Sequence, residues 1–246
     1  MAITFNDNFN DNSIDTAKWD ETAAHLTYHA SVTVVETGQL IEITPRTSVA
    51  GSNHNGLRAD NAVDFTRGYC QWEVRQIAGA DVNAQTRCGI ILDASNLIEF
   101  MVANTTLTFR QRASGSNSDT TLAYNSTTHR WMRLWHDGTN IYFDTSPDGT
   151  TWTNRRTVAA GITLTSVKVY IMAGTEGSVT TPGVAKFDNV AQGNLTVVAP
   201  FEQVIQQSRF VVPSCVAWSL DLDIISITRT PTRGQIYPRS KMWKSA

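Results

Sequence analysis

The chain has 246 residues, a formal net charge of −2, 17% charged residues and 41% hydrophobic ones. That length suits one large β domain or two small ones, and the apolar share is enough for a packed core, which excludes a disordered chain. The near-neutral total argues against bulk electrostatic binding to nucleic acid, and no apolar run is long enough to insert in a bilayer.

The polar residues are mostly Thr, Ser and Asn, with Gly at the turns, a mixture that favours strands and loops over helices. Cys70, Cys88 and Cys215 are an odd, scattered set, neither a disulfide framework nor a zinc spacing. "MAITFNDNFN" has no basic flank and no apolar segment behind it, so no secretion signal is expected.

In chain order, short runs alternate at period 2 and end in Gly, Asn, Asp or Ser. "QLIEIT" places Ile41 and Ile43 on one face. "YCQWEVRQ" separates Cys70, Trp72 and Val74 from Gln71, Glu73 and Arg75. "LIEFMV" groups Ile98, Phe100 and Val102, and "TLTFRQR" sets Leu107 and Phe109 against Arg110 and Arg112. "SVKVYIMAG" sets Val167, Val169 and Ile171 against Lys168, Tyr170 and Met172. Such runs predict an all-β antiparallel sandwich.

The stretch "WMRLWHDGTNIYFDTSPDGTTW" carries three tryptophans and two DG turns. With Asp137 and Gly138 as a two-residue turn, Leu134 faces Ile141 and Met132 faces Phe143 on an apolar side. Trp135 then faces Asn140, Arg133 faces Tyr142 and Trp131 faces Asp144. Counting back from the turn at "SPDGT" puts Trp152 opposite Asp144. A one-residue slip would mix the two sets, so their separation fixes the phase. Trp131, Arg133, Trp135, Tyr142, Asp144 and Trp152 are therefore the candidate glycan-binding face, rings for stacking beside polar groups for hydroxyls. The alternative is a face covered by loops or by the tail.

Composition changes near Gly193. "APFEQVIQQSRFVVP" has Pro200 where a first helical turn tolerates it and Phe201, Val204 and Ile205 at helical spacing, and "CVAWSLDLDIISITRT" reads as strand. The domain reading is a sandwich over 1–194 and a C-terminal appendage over 195–246, either an extended arm packing on a neighbour or an extra strand layer. Trp218, Arg229, Arg233, Arg239 and Trp243 are its candidate assembly residues.

Catalytic signals are sparse. Glycoside hydrolysis needs two carboxylates facing one groove, and no E-x-D-x-E run exists to place alternating acids on one strand. Glu99 stands alone, Glu73 has Arg75 beside it, and Asp221 and Asp223 share a face of the appendage. His25 and His29 are spaced for a metal only on a helix, in a segment that reads as loop or strand. No Walker, Rossmann or G-x-S-x-G pattern occurs.

"FNDNFNDNSIDTAKW", "WMRLWHDGTNIYFDTSPDGTTWT" and "GVAKFDNV" together resemble the concanavalin A-like jelly rolls, closest to laminin-G-like and β-xylosidase C-terminal-like modules. The resemblance spans roughly residues 3–192 and implies two packed antiparallel sheets. It also implies a mostly non-catalytic, glycan-binding or adhesive role and a structural calcium, for which Asp7 and Asp188 are the candidates by position; no other cofactor is expected. With the appendage and the missing signal, the expectation is a non-enzymatic virion or cell-surface structural protein of the phage tail or capsid-decoration type. It would contact other virion subunits and its own copies through the arm, and a cell-surface glycan through the aromatic face. A soluble carbohydrate-binding module and a glycoside hydrolase are the alternatives.

Overall fold

The computed structural model describes residues 5–20 and 28–195. Its elements are β1 (Phe5–Asp7), β2 (Trp19–Asp20), β3 (Thr33–Thr37), β4 (Leu40–Thr44), β5 (Asn53–Ala59), β6 (Gly68–Gln76), β7 (Ala84–Asp93) and β8 (Asn96–Ala103). They continue as β9 (Thr106–Ala113), β10 (Ser116–Ala123), β11 (Trp131–His136), β12 (Asn140–Ser146), β13 (Thr153–Ala159), β14 (Lys168–Thr175) and β15 (Ala185–Asn194). The first sheet runs β13-β12-β11-β6-β15-β4-β3 with β1 also on β15, and the second runs β10-β9-β8-β7-β14-β5-β2. All the ladders are antiparallel. The fold is an all-β sandwich of two antiparallel sheets, as the alternation predicts. The appendage and its five candidate assembly residues, together with Cys215, Asp221 and Asp223, lie outside the described residues, as does His25.

Alternation built the core. Ile41, Ile43, Cys70, Trp72, Val74, Ile98, Phe100, Val102, Leu107, Phe109, Val167, Val169 and Ile171 are all buried in one cluster between the sheets. At its centre Trp72 and Phe143 of the first sheet meet Phe100 and Phe109 of the second. Phe100 lies edge-on to Trp72, Phe109 and Phe143 with centroids 6.4, 5.7 and 5.4 Å away. Edge-on pairs of this kind contribute about 0.5–1.5 kcal/mol each beyond area burial. The buried thiols of Cys70 and Cys88 are pushed well up by burial, so they act as core residues. Arg156 on β13 ties the sheets at one edge, donating to the Phe109 carbonyl and to both oxygens of Ser118.

The tryptophan hairpin keeps its predicted phase but not its register. Leu134 pairs with Phe143, Trp135 with Tyr142, and Arg133 with Asp144, two residues away from the pairing expected for a two-residue turn. A two-residue hairpin turn of that kind needs positive φ at both central residues. Here Gly138 takes φ 104°, while the Asp137 carboxylate accepts from the Thr139 and Asn140 amides, closing a longer turn. An even shift leaves every side chain on its face. Met132, Leu134, Ile141 and Phe143 are therefore still buried.

Candidate functional site

The six predicted residues share the outer face of the first sheet. Three strands, β12, β11 and β6, set them in rows. Tyr142 pairs with Trp135 and Trp135 with Tyr69; Asp144 pairs with Arg133 and Arg133 with Gln71; Ser146 pairs with Trp131 and Trp131 with Glu73. Directly paired residues point to the same side, so each row is a contiguous strip. Trp152 is not strand-paired with Asp144 as counted, because a register shift after Phe143 brings Asn154 there. It still joins the group, since the Arg133 guanidinium lies over its ring at 4.2 Å. All six residues except the buried Asp144 are half-buried, so the face is neither sealed nor freely open among the described residues.

Asp144 organises the site. It is 4% exposed and accepts from Arg133 Nη2 at 2.7 Å, Trp135 Nε1 at 2.8 Å and Asn154 Nδ2 at 3.0 Å. Hydrogen bonds to an ionised acceptor are short and strong, so this one carboxylate fixes both neighbours. Trp135 lies flat on Tyr142, centroids 3.8 Å apart and planes 8° from parallel. The Tyr142 hydroxyl donates to Asp137 at 2.7 Å. Three hydrogen bonds, from the Asn140 amide, the Tyr142 hydroxyl and the Thr139 amide, hold Asp137 at about 2. Beside this slab lies a groove of about 420 Å³ lined by Tyr69, Gln71, Arg133, Trp135 and Leu195. Tyr69, Gln71 and Leu195 were missed in the sequence. Gln71 did stand on the polar face of its run, but nothing local says that β6 lies beside β11.

Glu73, singled out with Arg75, is structural. Burial pushes its carboxyl up, but hydrogen bonds from Arg75, Asn189 and Arg130 outweigh that and hold it below the usual range.

The calcium candidates each have local partners. Asp7 accepts from the Phe9 amide and the Trp19 indole, and Lys18 approaches it at 3.7 Å. Asp188 accepts from the Asn189 amide, and burial raises its carboxyl, which disfavours the charged form. Calcium takes six to eight oxygens, and among the described residues no group of three or more His, Cys, Asp or Glu converges. His29 is held by Arg46 and the Ser31 amide in a loop.

A second polar constellation lies on the outer face of the second sheet, unpredicted apart from Glu99. Glu99, 0% exposed, accepts from Tyr170 at 2.6 Å and pairs with Arg87 at 3.4 Å and Arg110 at 3.5 Å. Arg87 reaches on to Glu176 at 3.1 Å, and Arg110 to Asp119 at 2.8 Å. His54 sits 3.8 Å from Glu176; burial and the Arg87 charge lower it to about 4, so it is neutral near pH 7. Burial and the adjacent Glu99 push the Tyr170 phenol well up.

No protein-family model matches the chain, and no curated protein matches it in sequence. Solved structures do match in shape. One comes from work titled for endo-acting O-glycanases of the human gut microbiota that initiate mucin breakdown (TM-score 0.59, 10% identity, 78% of this chain and 98% of that one). Another is a non-specific endo-β-1,3(4)-glucanase of family GH16 (0.57, 14%, 77% and 89%), and a third is β-agarase A from Zobellia galactanivorans (0.55, 12%, 77% and 89%). At these identities the likeness is one of fold. It corrects two expectations nonetheless. The reading as a non-catalytic virion protein, and with it the reading as no enzyme, rested on relatives that are mostly binding and adhesion modules. The structures of matching shape are instead mostly glycoside hydrolases, and nothing in them points to a virion.

Proposed function

We propose that the chain is a concanavalin A-like jelly roll and a carbohydrate-active protein holding a glycan along the outer face of its first sheet. One observation carries this reading: Trp135 lines the groove while stacked on Tyr142 and hydrogen-bonded to Asp144. A pre-positioned indole loses little rotamer freedom when a sugar ring stacks on it. The polar groups of the groove, Gln71, Arg133 and the Tyr69 hydroxyl, supply donors and acceptors for hydroxyls. The test is calorimetric titration of the full chain against soluble β-glucan, agar and mucin-type oligosaccharides. Trp135→Ala weakens binding by ~1–2 kcal/mol, roughly tenfold or more. A panel with no binder, or a binder indifferent to that substitution, overturns the reading.

Hydrolysis is a second reading with its own observation. Glu99, Glu176 and Asp119 are linked through Arg87 and Arg110 on the outer face of the second sheet. Glycoside hydrolysis needs two carboxylates in one groove, about 5–5.5 Å apart for retention and 6.5–9.5 Å for inversion. Glu176 and Asp119 are 37% and 33% exposed at the side chain, which leaves them able to meet a substrate. Reducing-end release from the same polysaccharides, abolished by Glu176→Gln or Asp119→Asn, supports hydrolysis; no release from any of them rejects it.

A further inference from the structure

The aromatic row is asymmetric about Trp135. On one side Tyr142 covers the indole in a parallel stack. On the other stands Tyr69, its direct partner on β6, and the groove lies among Trp135, Tyr69 and the next row of Arg133 and Gln71. Tyr69 folds over Gly193, which faces it on β15. A Cβ at position 193 would meet Tyr69 Cε1 at 2.9 Å, its hydroxyl at 3.0 Å and Cζ at 3.1 Å. The missing side chain is therefore the space into which the Tyr69 ring leans, and any larger residue drives the ring back over the groove.

The polar wall carries no surplus charge. Arg133 is matched by Asp144, whose oxygens already accept three donors. Arg133 is 26% exposed at the side chain and lines the groove, so its guanidinium is open to a ligand there. A sugar hydroxyl accepts from it without adding charge, whereas an anionic group would lie near Asp144.

Building on the glycan reading, we propose that the slot between Trp135 and Tyr69 binds one neutral pyranose residue of a glycan, that a hydroxyl of this residue accepts from the groove-lining Arg133 guanidinium, and that Gly193 sets the width of the slot. The volume of about 420 Å³ is in the range of small-molecule sites. Neutral recognition distinguishes this slot from a site for sulfated or uronic-acid sugars, and Gly193 is its specificity-determining position.

The experiment titrates the full chain with neutral oligosaccharides and with their sulfated and uronic-acid counterparts, for wild type, Gly193→Ala and Tyr69→Ala. The neutral sugars bind, the anionic ones at least ~10-fold more weakly, and raising the salt leaves the neutral affinity unchanged because no net charge is paired. Gly193→Ala lowers affinity ~5-fold or more with an unchanged near-ultraviolet spectrum. Should that variant fail to fold, Tyr69→Ala supplies the test, since loss of the second wall lowers affinity by a similar factor. Anionic sugars binding as well as neutral ones or better, through a site lost in Trp135→Ala, overturn neutral recognition and leave the glycan reading standing. Neutral affinity unchanged in Gly193→Ala and in Tyr69→Ala overturns the slot. Binding to no sugar at all overturns the broader reading together with this one.

Discussion

Two carboxylates, Asp144 and Glu99, lie on the outer faces of the two sheets, and each is buried and held by at least three donors among the described residues. Asp144 takes a guanidinium, an indole and an amide; Glu99 takes a phenol and two guanidinia. The partners differ in exposure. Arg133 is 26% exposed and, with Trp135, lines a groove, whereas Arg87 is 6% and Arg110 12% exposed. The same strand alternation has thus produced two kinds of surface. One carboxylate aims groove-lining side chains outward. The other locks two cations into a network that holds strands β7, β8, β9 and β14 in register. Burial of the anion is common to both, and the fate of its donors decides between a ligand site and a structural clamp.

The largest effect separates them directly. Glu99→Ala removes the buried anion that two arginines and a phenol share, and breaking a buried ion pair costs about 3–5 kcal/mol. Asp144→Ala releases a partly solvated arginine and two neutral donors, and its cost is about 2 kcal/mol, the scale of a hydrogen bond to a charged group. Urea unfolding of both variants orders them. In addition Asp144→Ala reduces glycan affinity, because Trp135 and Arg133 lose their anchor, while Glu99→Ala leaves it unchanged in the folded fraction. Equal stability losses would remove the distinction.

Next in size is the acid limb of stability. His54 is 1% exposed, and its pKa falls from a usual 6.5 to about 4. The unfolded chain therefore binds a proton below pH 6.5 that the folded chain refuses until about pH 4. Stability contributed by neutral His54 is full above 6.5 and is lost as the pH falls through that window, by about 3 kcal/mol in all. His54→Gln flattens the wild-type slope between those values in urea unfolding at stepped pH, and parallel slopes would place the histidine outside the network. No such dependence is expected from the groove of the first sheet, whose Asp137 stays charged throughout that window.

Much of this was legible in the sequence where period 2 operates, and little where pairing is distant. The inward set of "YCQWEVRQ", "LIEFMV" and "TLTFRQR" followed from alternation alone. The face of Trp131, Arg133 and Trp135 followed too, and survived a register misplaced by two because only odd shifts exchange faces. The turn length was misread because "HDGT" fits a two-residue turn in composition, and only the side-chain capping by Asp137 lengthens it. Tyr69 and Leu195 were invisible because β6 and β15 reach the groove through pairings dozens of residues apart. The clamp around Glu99 was invisible for the same reason, since Tyr170 is 71 residues from it in the chain.

The smallest effect tests how far the groove extends along β11. Gly149 takes φ 74° in the second turn, and a Cβ there would lie 3.0 Å from the Trp131 ring. Left-handed backbone costs a non-glycine residue about 1–2 kcal/mol, and the contact displaces the indole by a few tenths of an ångström. Gly149→Ala therefore lowers stability by that modest amount. It leaves glycan affinity unaltered, because Trp131 stands in the row of Ser146 and Glu73, two rows along the strand from Trp135. A loss of affinity as large as that of Trp135→Ala, at unchanged fold, would mean that the sugar chain runs past Arg133 onto Trp131. The site would then be a track along the strand instead of a single slot across three of them.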